Sequence, residues 1–134
     1  MATRETLHAY RHLYRGLLHA VQFSKPARYV ARDRIRVAFR EKGAVLDPPS
    51  ISRTVKFLEA AARERGLEHK VLKNLLVTQF FRAREQQKSW KVVKLEQSLR
   101  HKKTDLNEHM QDTAFYHYDK TVEMLNKSLG LCLR

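Results

Sequence analysis

Three observations predict an all-α fold. Only 4 Gly and 3 Pro punctuate the 134 residues. Ala, Leu, Arg, Lys, Glu and Gln, which favour helix, dominate the rest. Apolar residues also recur every three or four positions over long stretches, as one face of a helix requires. Hydrophobic residues make up 43% and charged residues 31% of the chain, a globular rather than a disordered composition. The length fits one domain, which can bury roughly two thirds of its unfolded surface.

The first helix, about residues 3–22, places Leu7, Tyr10, Tyr14, Leu17, Leu18 and Val21 on one stripe that Leu13 widens. Thr3 is its expected N-cap, with Glu5 in the first turn. The stripe carries Arg15 inward with it. Ser24, Lys25 and Pro26 break the pattern, because proline disfavours helical geometry in the residue before it. A second helix, about residues 26–42, starts on Pro26, where a missing N–H costs nothing. It bears Val30, Ile35, Val37, Ala38 and Phe39 and ends at Gly43.

LDPPS (46–50) reads as a turn, and Ser50 can cap a third helix carrying Ile51, Val55, Leu58, Ala61 and Ala62. Gly66 either interrupts that helix or sits within it. Leu67, Val71, Leu72, Leu75, Leu76 and Phe80 continue the period, which runs on through Trp90, Val93 and Leu95 to about residue 103, so part of this stretch reads as one long helix. Thr104 or Asp105 can cap a last helix with Leu106, Met110, Ala114, Tyr118, Val122, Leu125 and Leu129 inward and Gly130 at its end. There is no internal repeat.

Charge narrows the partners. The net +13, from 27 Lys+Arg against 14 Asp+Glu, calls for an acidic one: nucleic acid, anionic lipid or an acidic protein. It is unevenly spread. Residues 1–46 hold 10 basic and 3 acidic side chains, 47–81 hold 6 and 4, 82–103 hold 8 and 2, and 104–134 hold 3 and 5. Two separate basic surfaces follow. A single cysteine, Cys132, neither staples the fold nor builds a thiolate zinc site. No apolar run reaches the 18 residues of a membrane span.

Leu13-Tyr14-Arg15, with Phe39 placed 24 positions after Arg15 inside RDRIRVAFREKG (32–43), resembles the mitochondrial LYR-motif (complex 1 LYR-like) family, and the fungal LYR-type proteins of unassigned role in particular. The basic second helix reading R-I-R-x-A-F-R-E and the D-P turn before helix three belong to the same resemblance, which covers about residues 5–82. It implies a LYR-type three-helix core over 1–82, with 83–134 as a basic helical segment and a C-terminal helix packed on that core. It also implies a mitochondrial matrix location and binding of the mitochondrial acyl carrier protein, whose phosphopantetheine-linked acyl chain enters between the adaptor's helices. The chain itself would need no cofactor.

Carried over by position, the resemblance assigns Arg11, Tyr14, Arg15, Arg36, Arg40 and Lys42 to the acyl carrier protein, and Leu17, Val30 and Phe39 to the acyl-chain tunnel. The residues agree with it independently. An acyl carrier protein is acidic, and arginine guanidiniums pair with carboxylates through charge-assisted, often bidentate, bonds. Arg15 would then sit at the tunnel rim, its stem buried and its head on the partner. Residues 1–23 are amphipathic and basic, as a matrix-targeting helix requires, and since they hold the LYR motif we expect an uncleaved signal.

The second basic surface, QQKSWKVVKLEQSLRHKK (86–103), sets Lys88, Lys91, Lys94, Arg100, Lys102 and Lys103 beside Trp90. Helical spacing puts Lys91 and Lys94 near one stripe and Trp90 and Val93 on another. Its simplest meaning is a solvated helix face. Functionally, lysines neutralise phosphates and an exposed tryptophan stacks on bases, so the expected client is mitochondrial ribosomal RNA or ribosomal assembly proteins, with a role in large-subunit assembly or stability. The alternative is an assembly factor or accessory subunit of a respiratory complex, ATP synthase or iron–sulfur machinery. His8 and His12 share a helical face but lack further ligands, and His117 in AFYHYDK lacks a nucleophile. No catalytic triad or phosphate loop is present, and an enzyme is not expected.

Overall fold

A computed structural model describes residues 3–100 and 105–133, with the backbone alone for residues 100, 105, 107, 108, 111 and 112. All regular structure among the described residues is helical: α1 (Arg4–Ala20), α2 (Ala27–Arg40), α3 (Pro48–Arg63), α4 (Leu67–Gln86), α5 (Trp90–Arg100) and α6 (Asp105–Leu129). No helix among them is long and apolar enough to cross a membrane.

Thr3 caps α1 as expected, its side chain accepting from the Thr6 N–H. The helix stops at Ala20 because Gln22 and Phe23 adopt left-handed backbone (φ +54° and +55°), which turns the Phe23 N–H back onto the Leu18 carbonyl. Helix α3 starts earlier than Ser50. Asp47 is the N-cap and Pro48 opens the helix, where proline forfeits no hydrogen bond; the Ser50 hydroxyl donates to the Asp47 carboxylate instead.

Gly66 is a boundary. Residues 64–66 leave helical geometry and α4 begins after them, so the expected three-helix core is a packing of four helices. Helix α1 lies against α2 and α3, and α4 against α2 and α3. Their shared core is Leu13, Ala20, Ile35, Leu58, Ala61 and Leu72. Gly16 makes the α1–α3 approach possible: a Cβ there would meet the buried Leu58 side chain at 3.2 Å. The expected long helix is broken again at residues 87–89, and α5 follows as a separate helix.

Among the described side chains, helix α6 docks from about Phe115 onward. Tyr118, Val122 and Leu125 pack with Phe57, Val71 and Leu75, whereas Leu106 and Met110, expected inward, are 68% and 61% exposed. Arg82 ties α4 to α6, bonding the Asp119 carboxylate at 2.9 Å and lying over the Phe115 ring at 4.4 Å. Leu129 is also exposed, because the helix ends there. Gly130 takes φ +62°, the Leu131 N–H returns to the Asn126 carbonyl, and Leu131 and Leu133 are buried in its place.

Candidate functional site

The core is hollow. A mostly apolar cavity of about 250 Å³ runs between α1, α2, α3 and α4 and is bordered by the 44–47 loop and the C-terminal tail. Leu13 and Leu17 line it from α1, Ala31, Ile35 and Phe39 from α2, and Ile51 and Leu58 from α3. On α2 these positions are four residues apart, so they share one face.

Of the three expected tunnel residues, Leu17 and Phe39 line this cavity and Val30 does not. Nine residues at 100° each place Val30 opposite Phe39 on α2. It faces a second hollow, on the other side of α4. Tyr14 is half-buried and reaches Phe39 through Tyr10: the tyrosine rings stack at 5.9 Å, and Tyr10 meets Phe39 edge-on at 5.3 Å. Each ring of this row is followed in sequence by an arginine: Arg11, Arg15 and Arg40.

Arg15 itself is exposed, not carried inward. It stands two residues, or about 200°, from buried Leu13, which puts it on the outer side of α1. Arg11, Arg36, Arg40 and Lys42 are exposed as well. The acids on these two helices are Glu5 and Asp33, and Asp33 is paired with Arg32 at 3.0 Å. The α1–α2 pair therefore offers exposed guanidiniums beside an apolar cavity, and acidic groups are what such a surface attracts.

Several cavity residues were not expected. Thr54 and Cys132 line it and are joined: the Cys132 N–H donates to Thr54 Oγ1 at 3.0 Å, and Cys132 Sγ lies 3.1 Å from the same oxygen. Thr54 Oγ1 in turn donates to the Ser50 carbonyl. Asn126 fixes the tail from the other side, its amide nitrogen donating to the Leu133 carbonyl and its oxygen accepting from the Leu133 N–H. The signal available in sequence was the alternation Leu131, Leu133 after a glycine.

On the second basic surface, Trp90 is 70% exposed and Lys94 lies over its ring at 5.2 Å, so these two share a stripe rather than occupying separate ones. Lys88 is bound to Glu96 at 2.8 Å and Lys91 is exposed. The Arg100 side chain and Lys102, Lys103 and Thr104 lie outside the described residues. His8, His12 and His117 are exposed, and no group of three metal-ligating side chains occurs among the described residues.

These features define a small helical protein with a basic face over an apolar core cavity and a second, tryptophan-bearing basic helix. Over 82 residues the chain is 38% identical to the UPF0593 mitochondrial protein C806.05 of Schizosaccharomyces pombe, a stretch covering 59% of this chain and 66% of that relative. The chain thus spans just under two thirds of the length of the relative it matches. No protein-family model and no solved structure matches it.

Proposed function

We propose that the chain is a non-enzymatic mitochondrial adaptor of the LYR type that binds acylated acyl carrier protein in the matrix and supports assembly or stability of the large ribosomal subunit. The observation that carries this reading is the apolar cavity bounded by the arginine-bearing pair α1 and α2. It has room for about eight water-sized volumes, and covering its apolar lining is favourable by ~25 cal/mol per Å² of surface removed from water. An acyl chain would cover that lining, while Arg11, Arg15, Arg36 and Arg40 meet the carrier's carboxylates. The mitochondrial relative supports the compartment.

The acyl-phosphopantetheine comes with the carrier, so the adaptor contributes only the apolar walls and the cationic rim. Its client is read from α5, where exposed Trp90 with Lys91 and Lys94 suits stacking and phosphate contact with ribosomal RNA. A second reading has its own support: Leu95 and Leu99 are 61% and 56% exposed on the same helix, which favours a protein client such as a respiratory, ATP synthase or iron–sulfur component.

Two measurements test this. The full chain should co-elute with acylated carrier, and the Arg15→Glu, Arg36→Glu double variant should not; native recovery by that variant overturns the assignment. Affinity purification from mitochondria with and without RNase then separates the clients. Large-subunit particles lost on RNase treatment favour the ribosome, and an RNase-resistant respiratory or iron–sulfur client favours the second reading.

A further inference from the structure

The second hollow is larger than the first, about 760 Å³, within the range of pockets that hold small molecules. One wall is the end of α1, the turn after it and the start of α2, where Ala20, Ser24 and Ala27 are small and Val30 is apolar. The other wall is α4. Along that helix the lining changes character: Arg65, His69, Lys70 and Lys73 come first, then Val77, Phe80 and Phe81. No carboxylate lines the groove. Val77 and Phe81 are 45% and 53% exposed, and Arg65, Lys70 and Lys73 are exposed too.

Helix α4 can form both walls because its apolar residues go round it. Leu72 and Leu75 are buried in the core, while Val77, five residues past Leu72 and so about 140° round the helix, faces the groove. Leu72 and Leu76 border both hollows and separate them.

We infer that this groove binds a single-chain anionic amphiphile, with a carboxylate or phosphate head at the Arg65–Lys73 end and an apolar tail over Val77, Phe80 and Phe81. The separation of charge from apolar surface along one axis carries the inference. From Lys70 to Phe81 the helix rises about 16 Å, so head and tail sites are spaced as they are in a medium-length fatty acid or alkyl phosphate. A nucleic acid would leave the apolar end uncovered, and a neutral lipid would leave the three cationic side chains Arg65, Lys70 and Lys73 without a counter-charge. The site is independent of the cavity assigned to the acyl chain of the carrier.

The test uses the full chain and three probes below their micellar concentrations: dodecanoate, dodecyl phosphate and the uncharged dodecyl maltoside, with binding followed by calorimetry. One anionic molecule per chain is expected, at least tenfold tighter than the maltoside, and the stronger of the two anions identifies the head group. Lys70→Glu with Lys73→Glu, both exposed, should weaken binding at least tenfold. Ala27→Trp, which fills this groove, should abolish it, and Ala38→Trp, which fills the core cavity, should leave it intact. Equal affinity for the maltoside, an unchanged affinity in the charge variant, or loss in Ala38→Trp alone would overturn the inference. Carrier binding, measured on the same charge variant, should be retained, so failure of the groove and failure of the adaptor reading give different results.

Discussion

Asn126→Ala should free the C-terminal tail without unfolding the core. Four bonds hold residues 131–133: one from the Leu131 N–H to the Asn126 carbonyl, two between the Asn126 amide and the backbone of Leu133, and one from the Cys132 N–H to Thr54. At about 1 kcal/mol per bond and about 2 for each of the buried leucines, the tail gains about 8 kcal/mol. Ordering three residues and two leucine side chains removes about 6 kcal/mol of that. The net of about 2 is no larger than the two side-chain bonds the substitution deletes, so the tail should open locally. Alanine is the better helix former and keeps α6 intact. Hydrogen exchange should show the Leu133 amide approaching the unprotected rate while amides of α1 and α3 stay protected, with a fall of only about 3 °C in Tm. An unchanged Leu133 amide, or protection lost equally in α1 and α3, would refute the reasoning.

Gly16→Ala pits about 1 kcal/mol of gained helix propensity against about 1–3 kcal/mol of overpacking on Leu58, so denaturant melts should show a net loss of up to about 2 kcal/mol, and Gly16→Leu should prevent folding. Arg82→Ala should loosen α6 from α4. A double-mutant cycle with Asp119→Asn should give a coupling of about 0.5–1 kcal/mol, since the carboxylate is more than half exposed. The carboxyl of Glu123 is held below its ordinary value of 4.5 by hydrogen bonds from Lys127 and then Lys120. Its contribution to α6 is therefore present at neutral pH and lost as pH falls through the lowered value, and Glu123→Gln should remove that part of the acid-induced loss of helicity seen by circular dichroism.

The helices were legible because their boundaries are written in local chemistry. Thr3, Pro26 and Gly130 act within a turn of themselves, and a short window suffices to read them, whereas the start of α3 was set at Ser50, two residues past the Pro48 that opens the helix. The break at Gly66 was ambiguous because the apolar period carries on across it, from Ala61 and Ala62 to Leu67 and Val71, so periodicity alone cannot say that the chain turns. A resemblance grouped Leu17, Val30 and Phe39, and the structure divides them between two hollows, Leu17 and Phe39 at the core cavity and Val30 at the other, because Val30 and Phe39 lie half a turn apart on one helix. Arg15 was drawn inward by neglect of helical phase, since Leu13 and Arg15 cannot both face the core. The part of the cavity wall that the C-terminal tail supplies was not legible at all. Thr54 and Cys132 are 78 residues apart in sequence, and nothing local to either announces the other.

The distribution of exposed apolar surface bears on the adaptor reading proposed above. On α1 and α2 the exposed side chains that matter are arginines, with the aromatic row Tyr14, Tyr10 and Phe39 turned toward the core. On α5 and the first half of α6 the balance is reversed: Trp90, Leu95, Leu99, Leu106 and Met110 are each more than half exposed. Large apolar side chains exposed in that number often mark an interaction surface. The two regions share no residue. Besides the packing of Tyr118, Val122 and Leu125 on the core, Arg82 of α4 links them by gripping Phe115 and Asp119 on α6. If the proposed adaptor reading holds, a variant at Arg82 should disturb client binding while carrier binding persists, and the reverse should hold for Arg15 and Arg36. Independence of that kind would suit the proposed adaptor, because each partner could then be exchanged without rebuilding the site for the other.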